Sequence, residues 1–297
     1  MAAAPEAGGS TDLGIITGML SVKLVPHQLR PGVGQMPASE GRRTWLPQQS
    51  RFCPVLEDGS KMGFLVYPPL EADETYQVRF EDDGNFRFTF YKRRQVVLTL
   101  LKRLSAGGGE GATTELVFFD EQAGLDRRAI TTVFDTMVAN IGAPIGGVGL
   151  RGAYDFVTPP GWDTVYTGVL NEIGRPQVPV LTVQVQTDWY THPTEFRYVL
   201  QAGESVSASG FAPVGQVFFV PRQEVGVELA SEEEQARFKR ELDAYWERKP
   251  GLAEHTRYGG VYDHQYRSEG RAYSDVVPEV ELGEASEGEG VGEVAGE

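Results

Sequence analysis

The stretch Tyr76-Gln77-Val78-Arg79-Phe80-Glu81-Asp82-Asp83-Gly84-Asn85-Phe86-Arg87-Phe88-Thr89-Phe90 contains two runs in which apolar and polar residues alternate. A period of two sends successive side chains to opposite faces of a strand. Asp82-Asp83-Gly84-Asn85 joins the runs, and Gly and Asn tolerate the positive φ that a tight turn demands. The stretch therefore reads as a β-hairpin.

The same pattern recurs on both sides. Upstream lie Val22-Lys23-Leu24-Val25, ended by Pro26, and residues 61–67, ended by Pro68-Pro69. Downstream, residues 95–101 and 115–119 flank a Gly-rich connection at 105–114. Further strand-like runs occupy 153–157, 164–170, 180–187, 196–200, 206–209 and 216–220, with Gly or Pro between them. Regular short strands separated by turn signals predict an all-β body, a β-sandwich or jelly roll of about ten strands.

Two peripheral helices are expected on this body. Residues 126–141 place Ile130, Val133, Phe134, Met137, Val138 and Ile141 at spacings of three and four, before Gly142 and Pro144. The second opens on Ser231-Glu232-Glu233-Glu234, a capping box. Phe238, Leu242 and Tyr245 or Trp246 form its apolar stripe, expected to be buried, and Pro250-Gly251 is expected to stop it.

The chain has 297 residues and a formal net charge of −15. The last basic residue is Arg271, and eight acidic residues follow it, leaving −7 for residues 1–271. Composition divides the chain into a disordered N-terminus (1–18), a β-rich globular body (19–251), a Tyr/Arg-rich extended arm (252–274) and a disordered acidic tail (275–297). The Lys92-Arg93-Arg94 run, with Lys102-Arg103 nearby, is too short to track a phosphate backbone, so no nucleic-acid partner is expected. No apolar run is long enough to span a membrane, and the weak stretch from Leu13 to Leu20 has no basic residue before it. A soluble, cytoplasmic protein is expected. Cys53 is the only cysteine, which excludes an intramolecular disulfide and a four-cysteine zinc site.

The four histidines, His27, His192, His255 and His264, lack the His-x-Asp or His-x-Glu spacing of jelly-roll metal enzymes. The only local alternative ligand set is Asp188, His192 and Glu195. The glycine clusters at 107–111 and 142–152 match neither a P-loop nor a dinucleotide fingerprint, and no Gly-x-Ser-x-Gly elbow occurs. No cofactor is expected.

One constellation stands out. Thr158-Pro159-Pro160-Gly161-Trp162-Asp163 and Thr187-Asp188-Trp189 each set a Trp beside an Asp at a strand end. Alternate loops of a sandwich gather at one end, which would bring the two turns together. Trp162 and Trp189 then act as apolar platforms, with Asp163 and Asp188 as polar partners for a sugar or peptide. Alternatively, both Trp cap the sandwich ends and the Asp residues bond local backbone amides.

Several stretches, in order, resemble the bacterial and phage proteins of domain-of-unknown-function family 6065. They are Arg43-Thr44-Trp45-Leu46, Phe52-Cys53-Pro54-Val55-Leu56 and Gly63-Phe64-Leu65-Val66-Tyr67-Pro68-Pro69. Next come Phe156-Val157-Thr158-Pro159-Pro160-Gly161-Trp162, Gln186-Thr187-Asp188-Trp189 and Phe196-Arg197-Tyr198. Gly203-Glu204-Ser205, Phe219-Val220-Pro221-Arg222 and the Trp246-bearing helix complete the series. The resemblance spans about residues 45–250, is weak between Tyr91 and Gly142, and implies a compact β-rich body with a phage-related occurrence. It supplies no catalytic residue.

Two functions fit these observations. One is a non-enzymatic binding or structural-interaction module with a protein partner or self-association, virion-associated if phage-derived. The other is a metal-dependent cupin or jelly-roll enzyme acting on a small molecule.

Overall fold

The hairpin at residues 76–90 is the middle of a five-stranded antiparallel sheet in this computed structural model, which describes residues 20–39, 53–103, 113–142, 144–172, 178–255, 261–263, 266 and 268–271. The expectations for 1–18 and 275–297, and most of the 105–114 connection, lie outside the described residues.

In chain order the strands are β1 (Lys23–Pro26), β2 (Phe64–Val66), β3 (Glu74–Phe80), β4 (Phe86–Lys92), β5 (Gln95–Arg103), β6 (Thr113–Phe119), β7 (Val138–Ile141), β8 (Gly147–Arg151), β9 (Tyr154–Val157), β10 (Trp162–Thr167), β11 (Val183–Val185), β12 (Glu195–Val199), β13 (Ser205–Ser209) and β14 (Gly215–Pro221). The helices are α1 (Pro54–Lys61), α2 (Arg127–Met137) and α3 (Glu232–Leu252). A ribbon of Ala253–His255 with Val261–Asp263 follows α3, so this part of the expected extended arm is paired.

The fold is all-β with helices at its periphery, and it has more strands than the ten expected because several are only three or four residues long. The sheets have the orders β13-β3-β4-β5-β6, β11-β10-β14-β2, β12-β8-β7 and β1-β9. One core runs through all of them. It takes Tyr76, Val78 and Phe88 from the first sheet, Tyr166 and Val217 from the second, Leu150 and Phe196 from the third and Phe156 from the fourth. Tyr166 packs edge-on against Phe196 at 5.8 Å and against Phe156 at 6.4 Å, which ties three sheets together.

α2 seals the five-stranded sheet. Its Phe134 ring meets Phe88 edge-on at 5.3 Å. The Tyr76 hydroxyl donates to the Met137 carbonyl at 3.3 Å. Asp126 caps the helix by accepting from the Ala129 amide at 2.6 Å.

Three helix expectations need correction. Residues 138–141 are strand β7, not the end of a helix. Val138 and Ile141 keep the helical spacing of three, but both are β-branched, and pairing with Leu150 and Val148 of β8, with a register shift between the two pairs, selects the strand. α1 was not expected. It starts with Pro54 at a first-turn position, where the missing N–H costs nothing, and a Lys61–Glu57 bond of 2.6 Å braces it. Finally, α3 buries none of its described residues and continues through Pro250-Gly251, ending at Leu252. Pro250 removes a single amide donor within the last turn, so the helix ends two residues later rather than at the proline.

No helix among the described residues is long and apolar enough to cross a membrane.

Candidate functional site: an aromatic corner held by an arginine

Strand pairing assembles the corner. β10 runs antiparallel to β11, with Thr164 opposite Val185, so the turn before β10 lies beside the turn after β11. β10 is also antiparallel to β14, with Trp162 opposite Pro221. The start of β10, the end of β11 and the end of β14 therefore converge. The structure thus brings together the 158–163 and 186–190 turns and adds a third segment at Arg222.

Beneath the corner is a row of buried threonines. The Thr187 hydroxyl lies 2.9 Å from that of Thr158 and 2.6 Å from that of Thr164. Thr158 Oγ1 donates to the Trp162 carbonyl at 2.6 Å, which closes the Pro-Pro-Gly turn. Gly161 sits in that turn at φ +80°, a left-handed conformation that suits glycine.

Arg222 links the two carboxylates. It donates to Asp163 Oδ1 from Nε at 2.9 Å and from Nη2 at 2.6 Å, and to Asp188 Oδ1 from Nη2 at 2.7 Å. Asp163 is 2% exposed, and its other oxygen accepts from Gln184 Nε2 at 2.7 Å. Asp188 Oδ2 accepts from the Gly161 amide at 2.9 Å, while the Arg222 amide donates to the Gly161 carbonyl at 2.7 Å. Charge-assisted bonds of this kind are short and directional, so the three segments form one rigid unit. The Arg222 hydrogen bond, followed by the Gly161 amide, holds the Asp188 carboxyl below the usual carboxylate range. Its bonds to Asp188 first and then to Asp163 raise the Arg222 guanidinium further above its ordinary value.

The aromatic side chains stand on this frame. Trp189 is 69% exposed and Tyr190 48%. Their rings lie 5.6 Å apart at 56°, and the Tyr190 ring lies 5.7 Å from His192. The Trp189 indole N–H donates to Gln186 Oε1 at 2.6 Å, which fixes the ring edge while most of the side chain stays in solvent. Trp162 is half-buried.

The geometry redistributes the roles read from the sequence. Asp163 and Asp188 are struts of the frame, since both oxygens of each accept a hydrogen bond from within the corner. The open surface belongs to Trp189 and Tyr190, flanked by His192. The alternative ligands Asp188, His192 and Glu195 do not converge. Asp188 binds Arg222, Glu195 accepts from Arg197 at 2.7 Å, and among the described residues no group of three His, Cys, Asp or Glu could hold a metal ion. Arg222 and Gln186 fall in stretches that carry the family resemblance, but neither they nor Gln184 is marked by the sequence as part of the corner; the β10–β14 pairing is what places Arg222 there.

A second cleft, of about 390 Å³, lies between β4 and α2 and is lined by Arg30, Glu74, Phe90, Lys92, Arg128 and Val133, among others. Its buried Glu74 already accepts from Arg30 at 2.7 and 3.2 Å and from the Glu71 amide at 2.8 Å, with Lys92 at 3.5 Å. The cleft's acidic centre is thus used for structure.

Comparison of the chain with protein-family models, with curated proteins and with solved structures gives no match.

Proposed function

We propose that this protein is a non-enzymatic binding module that recognises a protein partner through the Trp189–Tyr190 corner. The observation that supports the reading is Trp189 itself, 69% exposed on a turn held by the Asp163–Arg222–Asp188 ion network. An exposed Trp on a mobile loop would lose rotamer and backbone freedom on binding; here the frame has already restricted both. Trp, Tyr and Arg lead the residues that dominate protein interfaces, and all three meet in this corner. Such a module suits a place in a larger assembly, in the cytoplasm or on a virion.

Panning a random-peptide library against the wild-type protein, with the Trp189→Ala variant as counter-target, tests the proposal. The expected result is a set of peptides that bind wild type at least about tenfold more tightly than the variant, a difference of about 1.4 kcal/mol. The variant should lose less than about 1 kcal/mol of stability, as exposed sites do. A loss of about 3–5 kcal/mol would make Trp189 a core residue and overturn the reading. So would peptides that bind both proteins equally.

A further inference from the structure

Every residue from Pro221 to Asp243 is exposed, and none of residues 232–249 of α3 is buried. Phe238 is 66% exposed, Leu242 40% and Trp246 55%. They recur every four residues and so lie along one face. Val225, Val227 and Leu229, in the segment before the helix, are 85%, 95% and 91% exposed. Large apolar side chains gathered in solvent along one helix face mark an interaction site.

The order of charges along α3 says what covers this face. Glu232, Glu233 and Glu234 form a negative block, and Arg237, Lys239 and Arg240 a positive one. Glu241, Asp243 and Glu247 are negative again, and Arg248 and Lys249 end the helix positive. A sequence of four blocks with alternating sign is complementary to its own reverse. Parallel pairing with an identical helix would set like against like in every block. Antiparallel pairing sets negative against positive.

The positive end has a defined surface. The Lys249 ammonium lies 4.4 Å from the centre of the Trp246 ring and 5.3 Å from that of Tyr245. The two rings meet edge to face at 5.2 Å. An antiparallel neighbour brings its Glu232–Glu234 turn to this aromatic–ammonium cluster, where the carboxylates meet a cation. The capping box leaves that turn well formed, with Ser231 Oγ donating to Glu234 at 2.7 Å.

We propose that α3 pairs antiparallel with α3 of a second copy of this chain, burying Phe238, Leu242 and Trp246 in a two-fold interface. Two-fold pairing presents the same patch from both partners, as a self-complementary stripe requires. The interface is separate from the Trp189 corner and does not depend on its role.

Sedimentation velocity of the full chain over a concentration series tests this with charge swaps that leave Glu234 and the capping box in place. Glu232→Lys with Glu233→Lys puts positive charge at the start of the helix. Arg248→Glu with Lys249→Glu puts negative charge at its end. Wild type should be dimeric, and each double variant alone should dimerise at least about tenfold more weakly, because both ends then face like charge. An equimolar mixture of the two variants should recover the dimer, since both contacts are attractive again; recovery also shows that the swapped helices still form. Phe238→Glu should give a monomer with an unchanged far-ultraviolet circular dichroism spectrum. A monomeric wild type, or double variants that dimerise as wild type does, would overturn the proposal.

Discussion

α2 and α3 carry the same kind of apolar stripe and use it in opposite ways. α2 buries Ile130, Val133, Phe134 and Met137 to 9% exposure or less, whereas α3 leaves Phe238, Leu242 and Trp246 at 40% or more. Both are capped at the start, α2 by Asp126 and α3 by Ser231 with Glu234. The difference lies outside the stripe. Eleven of the 21 residues of α3 are charged, so that helix can carry much of its own support through its cap, dipole and side-chain pairs. α2 has only three charged residues in 11 and depends on the sheet beneath it. Periodicity reveals that an apolar face exists; it does not say what covers it.

The sharpest way to break this comparison is to truncate one aromatic on each helix. Phe134→Ala should cost about 3–5 kcal/mol in a urea melt, because it opens a cavity against Phe88 and the core. Phe238→Ala should cost less than about 1 kcal/mol when the protein is dilute enough to be monomeric. Equal losses would mean that α3 is packed as α2 is, and the contrast would fail.

A smaller effect separates frame from platform within the corner. Asp163→Asn keeps the shape but removes the buried charge that Arg222 contacts through two nitrogens. A loss of about 1–3 kcal/mol is expected, the range for disturbing a buried hydrogen-bonded group whose partner stays in solvent. Amide hydrogen exchange over residues 186–190 should report the loosened turn before global unfolding. A variant as stable as wild type, with unchanged exchange there, would show that the network does not hold the turn.

Much of this architecture could be read from local sequence, and the exceptions share a cause. In the hairpin, Tyr76 pairs with Phe90, Val78 with Phe88 and Phe80 with Phe86, so the alternation maps directly onto one buried face. Gly84 takes φ +81° in the turn, as its neighbours Asp83 and Asn85 suggest. Residues 138–141 misled because Val138 and Ile141 keep the helical spacing of three, and pairing with Leu150 and Val148 further along the chain overrides it. The two aromatic turns were visible as compositions, and their meeting follows from antiparallel neighbours. Arg222 was invisible because its partners lie 59 and 34 residues away. Long-range pairing, not local propensity, determines which charges meet and which apolar face is covered.

The mildest test concerns acid sensitivity, and His27 is the residue to follow. It is 6% exposed, its Nδ1 accepts from the Leu29 amide at 3.2 Å, and its backbone amide donates to the Ala153 carbonyl at 3.0 Å. Burial first, then the nearby Arg151, lowers its pKa from the ordinary 6.5, against the opposing pull of Asp155. The folded state therefore holds a neutral imidazole more strongly than the unfolded chain does. As pH falls through about 6.5 the unfolded chain takes up the proton first. His27's contribution to stability is thus complete above that pH and declines below it, towards the folded value. The slope from this one group cannot exceed about 1.4 kcal/mol per pH unit, the one-proton limit. His27→Gln keeps a polar side chain and removes the titration, so stability between about pH 7 and pH 5 should become flatter than in wild type. A urea-melt series across that range measures it. An unchanged slope in the variant would show that the acid sensitivity of the β-body lies elsewhere, in carboxylates such as Asp188, whose contribution is lost only as pH falls through its depressed value.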